Sequence, residues 1–153
     1  WAGSCWYYMR YLDPTDTVPE CAINDADGIY KVMRSQIDVV LPTGVGVLNA
    51  DDAEVADMAR LCDGEVIFFS RFGNAECLQA HLGNGGRAVF TRDGQIVLAQ
   101  GTDIQPIMGV DSVPLLQLRN DALESVLAAV AAGVGMNLSR DIMSTGIQTF
   151  THQ

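Results

Sequence analysis

The stretch from Val45 to Ser70, VGVLNADDAEVADMARLCDGEVIFFS, constrains this chain more than any other. Val45, Val47 and Leu48 are β-branched and aliphatic residues of the kind that fill strands. Asn49 and Asp51 then stop the strand, because short polar side chains bond to nearby backbone N–H groups. Asp51 and Glu54 have the spacing of a capping box. Val55, Met58, Ala59 and Cys62 recur at three and four residues and share one helical face. Asp63-Gly64 closes the helix, with glycine free to take the left-handed cap. Val66 to Phe69 is a continuous apolar run, suited to a strand buried on both faces. Strand, helix and strand make one βαβ unit, which predicts an α/β fold with the remaining elements packed around it.

The flanking sequence extends that unit. Ile37 to Leu41 reads as a short buried strand that Pro42-Thr43-Gly44 turns into Val45–Leu48, in the same sheet as Val66–Phe69. Asn74 to Leu82 is a weak helix broken by the glycines that follow. Arg87–Thr91 and Gln95–Ala99 form an antiparallel hairpin around Asp93-Gly94, since both turn positions tolerate positive φ. Ile104 to Met108 is a further strand. Flanking helices are expected over Asp52–Leu61 and Asn120–Ala132, the second carried by Leu123, Val126, Leu127 and Val130 and ended by Gly133 and Gly135. Ser139 or Asp141 caps a last helix that reaches Thr145 and stops at Gly146.

Residues 1 to 28 are different in kind. Both tryptophans and three of the four tyrosines fall within the first eleven residues, and a Pro- and Asp-rich loop composition follows. The reading is therefore an aromatic, loop-like N-terminal segment over 1–28 and an α/β domain portion over 29–153. Unless the aromatics pack somewhere they drive association, so a homo-oligomer is expected. A net charge of −10 argues against nucleic-acid or anionic membrane partners. No apolar run approaches the roughly 18 residues of a transmembrane helix, and no export signal stands at the N-terminus. Cys5, Cys21, Cys62 and Cys77 form no C-x-x-C pair, so free thiols in the cytoplasm are expected. No metal site is expected, because His81 and His152 are not spaced as zinc ligands.

Few residues carry a chemical signal. No phosphate-cradling glycine loop is present, and the single lysine, Lys31, lies outside any such motif. Ser70 lacks a nucleophile elbow, and His81 has no paired nucleophile. Asn49, Asp51 and Asp52 stand where a strand gives way to a helix, the end of an α/β sheet where ligands bind. A helix cap needs one of them; a ribose or metal contact is the alternative use. Asn120, at the start of the long helix, is either an N-cap or a ligand contact.

Two family resemblances bear on these residues. VMRSQIDVVLPTGVGVLNADDAEVADMARLCDGEVIFFS, then GGRAVFTRDGQIVLAQG and GIQTF, resembles the Mur-ligase-like half of cyanophycin synthetases from about Tyr30 to Phe150, loosely over Thr102–Gln117. The resemblance implies part of a Mur-ligase central domain. It also implies an ATP- and Mg²⁺-dependent amide ligase that forms an acyl phosphate and adds arginine to a polyaspartate backbone. Related ligases hold adenine with a His-Asn pair at a helix start. Here that place reads Arg119-Asn120, so only Asn120 matches. Asn120, Asn49 and Asp51 are thus the nucleotide-binding candidates, and no catalytic residue is assigned. The family's P-loop is not found in the chain, so the isolated chain is expected to be inactive and ATP and Mg²⁺ belong to the parent family. Its expected partners are a nucleotide and the remainder of the parent ligase. The alternative is a non-catalytic α/β structural or assembly module. WAGSCWYYMRYLDP, residues 1 to 14, instead resembles a segment of leucyl-tRNA synthetases, which implies a mosaic or junction origin for this segment and offers a synthetase-derived piece as a third reading.

Overall fold

The computed structural model describes residues 34–119 and 122–150. A five-stranded sheet runs in simple sequential order: β1 (Val45–Asn49), β2 (Glu65–Ser70), β3 (Arg87–Arg92), β4 (Gln95–Gln100) and β5 (Asp103–Gly109). The first three strands are parallel and the last two join antiparallel. The parallel connections carry helices, as βαβ crossovers require. Helix α1 (Ala53–Asp57) continues into a 3₁₀ turn at Met58–Leu61 and leads to β2, and α2 (Glu76–Gly83) leads to β3. After β5 come a 3₁₀ turn, α3 (Pro114–Leu118), α4 (Leu123–Gly135) and α5 (Arg140–Thr149).

Alternation along the strands divides the interior into two layers. Leu48, Phe68, Ala88 and Phe90 meet Met58 of the 3₁₀ turn and Leu78 and Leu82 of α2. Ile67, Val89 and Ile96 meet Leu127, Val130 and Val134 of α4 on the other face. β2 feeds both layers with adjacent residues, Ile67 to one and Phe68 to the other, which is why it reads as an unbroken apolar run. The chain is thus a mixed α/β domain with helices flanking the sheet, as the sequence predicts.

The hairpin forms where expected, with Asp93 at φ 51° and Gly94 at φ 74°, the positive pair that suits the strand twist. Three expectations are corrected. Residues 34–38 are helical and 39–44 form a turn, so Ile37–Leu41 is not a strand. A five-residue stretch with four apolar residues cannot distinguish the two states by period. Here Arg34 and Asp38, one helical turn apart, lie 3.6 Å apart as an ion pair, and Ile37 alone packs inward while Val39 and Leu41 stay 62% and 69% exposed.

Gly133 does not end the long helix but lies inside α4, which runs on to Gly135, and both glycines sit at close crossings. A Cβ on Gly133 would sit 2.7 Å from Met143 Sδ, and one on Gly135 3.1 Å from Val45 Cγ1. Beyond Gly135 and the Met136 cap, Asn137 takes the left-handed conformation at φ 55°. Leu138 N–H then bonds to Gly133 O at 3.0 Å and Asn137 N–H to Val134 O at 3.0 Å, a Schellman closure. Gly146 likewise does not stop α5, which is capped by Ser139 and runs on to Thr149. Met143 and Ile147, one turn apart, hold it against the core on both sides of that glycine.

Candidate functional site

The carboxyl ends of β1, β2 and β3 converge on one edge, and a short polar network builds it. Asn49 Oδ1 accepts the Asp51 N–H at 3.0 Å, an Asx turn that folds the chain back at the end of β1. This frees Asp51 to reach β2: its carboxylate accepts from Ser70 Oγ at 2.6 Å and from the Arg71 N–H at 2.7 Å. Ser70 is fully buried, and its oxygen accepts in turn from Phe72 N–H at 3.2 Å and Gly73 N–H at 2.9 Å. One hydroxyl therefore satisfies the turn that leaves β2 and hands its proton to Asp51. Thr91 Oγ1 of β3 donates to Arg71 O, tying the third strand to the same turn.

Helix capping falls to the next residue. Asp52, not Asp51, is the N-cap of α1, accepting from Glu54 N–H at 2.9 Å and Val55 N–H at 3.2 Å. The capping-box assignment to Asp51 is thus corrected by one position. The physical reason is that Asp51 is already claimed by β2, a contact twenty residues away that local spacing cannot register.

Arg71 supplies the positive charge at this edge. Its Nε lies 3.1 Å from Glu124 Oε1 in the first turn of α4, an ion contact rather than an aligned hydrogen bond, so this buried N–H has no hydrogen-bond acceptor among the described residues. The edge thus assembles Asn49, Asp51 and Arg71 with the start of α4. Sequence reasoning weighed Ser70 only as a nucleophile and missed Arg71; the available signal was their place just where a buried parallel strand ends. Asn120 lies outside the described residues, four positions before Glu124 in sequence.

Two clefts involve residues near this edge. One of about 700 Å³ lies between α1 and α2 and includes Asp51, Cys77 and His81. Another of about 730 Å³ lies beyond Phe72 and Phe90. His81 is half-buried, with Nε2 3.0 Å from Val66 O and its ring edge-on to Phe68. Cys62 is half-buried rather than a core residue.

The opposite, amino ends of the strands carry a different device. Arg87 of β3 grips Glu65 of β2 through two bonds of 2.6 Å and also donates to Val134 O of α4 at 3.3 Å. The Arg87 hydrogen bonds hold the Glu65 carboxyl below its usual range, with His81 a lesser contributor.

A metal finds no ready seat. Among the described residues no group of three or more His, Cys, Asp and Glu could hold an ion. Asp51 spends both carboxylate oxygens on Ser70 and Arg71. Asn49 Nδ2 and the Arg71 guanidinium are donors that the strand-end network does not use, the kind of group a polar organic ligand would meet.

Fold and edge together define a mixed α/β domain with a polar network at the carboxyl ends of its parallel strands. No protein-family model matches the chain. Several cyanophycin synthetases do: that of Nostoc sp. is 27% identical over 130 residues, and that of Crocosphaera subtropica 31% identical over 134, each covering 84% of this chain. The chain spans only 14–15% of the length of these relatives. The leucine–tRNA ligase of Bifidobacterium longum is 94% identical over 17 residues, 11% of this chain and 2% of that protein. Among the described residues no helix is long and apolar enough to cross a membrane.

Proposed function

We propose that this chain is a portion of an ATP-dependent amide ligase of the cyanophycin synthetase kind, joining arginine to a polyaspartate backbone, and that its strand-carboxyl edge is the nucleoside end of the ligase's ATP site. The observation that carries the reading is the cyanophycin synthetase match over 84% of the chain, which spans this edge. Asn49 offers an amide, Asp51 fixes the turn that presents it, and Arg71 adds a cation. Asn120 is proposed as the adenine contact, since an amide both donates to and accepts from the base.

The isolated chain does not turn over ATP on this reading. Phosphoryl transfer is mostly positioning of phosphates and Mg²⁺, and neither a glycine-lysine phosphate loop in the sequence nor a carboxylate cluster among the described residues supplies it. When bound, ATP would supply the phosphoryl group that activates a carboxylate. What these residues contribute is binding and orientation of the nucleoside. Affinity is then weak, about −4 kcal/mol or roughly millimolar, and equal for ATP and adenosine. Chemical-shift mapping with adenosine tests this: shifts at Asn120 and at Asn49–Asp52 are expected. A folded chain with no shifts at millimolar adenosine would contradict it.

That second outcome favours a structural module without catalysis, which one observation supports independently. The Asn49 side-chain oxygen and both Asp51 oxygens are already engaged by the chain itself. A cytoplasmic setting is proposed on the same footing as the ligase reading.

A further inference from the structure

Beside the start of β3 lies a third cleft, of about 310 Å³, between the sheet and the corner where α4 passes into α5. Its walls are of two kinds. Leu98 of β4, Ile107 of β5 and Met143 of α5 supply apolar surface, each packed against the core behind it. Arg87, Gln105, Asn137 and Arg140 supply polar groups. The charge of this lining departs from that of the chain. Asp and Glu outnumber Lys and Arg by 19 to 9, yet the cleft is lined by two arginines and by no carboxylate.

The two arginines are in different states. Arg87 is spent, with Nε and Nη2 on Glu65 and Nη1 on Val134 O. Arg140 is not. Arg34, Arg60, Arg71, Arg87 and Arg92 each pair with a carboxylate, whereas Arg140 pairs with none among the described residues. Its one contact there is a long bond of 3.4 Å to Gln105 Oε1. Gln105 Nε2 donates to Asp103 at 2.6 Å, which fixes the amide with its oxygen toward Arg140 and occupies the nearest acid. Asn137 brings a second donor. Two backbone bonds at the end of α4 hold its loop in place, and its side-chain amide has no partner among the described residues.

We propose that this cleft binds a small organic carboxylate with a short apolar body. The carboxylate meets Arg140 and Asn137, and the body lies against Leu98, Ile107 and Met143. A guanidinium takes a carboxylate through paired, charge-assisted bonds, which are stronger than the long neutral bond to Gln105 that they would replace. Apolar walls with a few fixed polar groups are what small-molecule sites share, and the volume falls at the lower end of their range of about 300–1,000 Å³. A dianion or an acidic surface gains less, because the rest of the chain is negative. The cleft stands at the opposite end of β3 from the Asn49–Asp51 edge and needs no nucleotide, so the proposal is independent of the ligase reading.

The test is a residue-resolved NMR titration of the full chain with sodium hexanoate at constant ionic strength. Shifts are expected at the Arg140 guanidinium, the Asn137 side-chain amide and the Met143 methyl. Hexanamide, which lacks the charge, and acetate, which lacks the body, should each bind at least about tenfold more weakly. Arg140→Gln should weaken hexanoate by a similar factor. Arg92→Gln makes the same change of charge outside the cleft and should leave binding as it was. Should Arg140→Gln fail to fold, the comparison of hexanoate with hexanamide on the unaltered chain decides alone. A folded chain with no shifts in these three groups overturns the proposal. Hexanamide or acetate binding as well as hexanoate overturns it too, as does an equal loss in both arginine variants, which would reduce the effect to net charge.

Discussion

The two ends of the parallel strands are closed by different chemistry. At the amino end, Glu65 and Arg87 satisfy each other through two short bonds, and the second cation partner is a backbone carbonyl. That arrangement spends the carboxylate on the cation. At the carboxyl end, Asp51 binds a buried hydroxyl and a backbone N–H rather than a cation. The cation there, Arg71, leans on Glu124 without a well-aligned bond. A closed ion pair fastens strands. A carboxylate that spends itself on backbone leaves a cation and an amide at the rim, which is how a sheet edge can be rigid and still receive a ligand.

Breaking the carboxyl end should cost most. Asp51→Ala strips the acceptor from the buried Ser70 hydroxyl and the Arg71 N–H, and about 1–3 kcal/mol of stability is expected to go, read from urea unfolding. Ser70→Ala should cost a similar amount by orphaning the Phe72 and Gly73 amides. The double variant should lose clearly less than the sum of the two, because one network is being removed twice. Additive losses would show that the two residues act independently.

Breaking the amino end should cost less. Glu65 is 44% exposed, so solvent screens its pair with Arg87, and Glu65→Gln is expected to lose less than about 1 kcal/mol at neutral pH. The pH dependence has a definite sign. The folded Glu65 carboxyl titrates below its unfolded value, so its contribution is present above the ordinary carboxylate range and disappears as pH falls through the lowered folded value. Glu65→Gln should flatten that part of the acid limb of a stability profile. An unchanged acid limb would place the pH sensitivity elsewhere. The smallest effect is expected at Asp57, whose carboxyl is held low by Arg60 but is exposed; Asp57→Asn should leave the thermal midpoint where it is.

These contrasts also explain what was legible in the sequence. The βαβ unit and the hairpin were readable because each is written in local terms: a change of period at Asn49, and an Asp-Gly pair with positive φ. The glycines of α4 misled because their purpose is contact with Met143 and Val45, and nothing next to them in sequence says so. Ile37–Leu41 misled because a five-residue stretch with four apolar residues fits either period. At the site, position alone singled out Asn49 and Asp51. Which of Asp51 and Asp52 caps the helix was decided by Ser70 and Arg71, from the next strand. Arg71 carries no motif, and only the sheet brings it beside Glu124.

The measurement that bears most directly on the account is a residue-resolved adenosine titration run in parallel on the unaltered chain, Asp51→Asn and Glu65→Gln. The account predicts shifts at Asn49–Asp52, Arg71 and Asn120 in the unaltered chain and in Glu65→Gln, sharply weakened in Asp51→Asn, with the Glu65 and Arg87 amides still throughout. Shifts that gather at the amino end, or that survive Asp51→Asn undiminished, would contradict it.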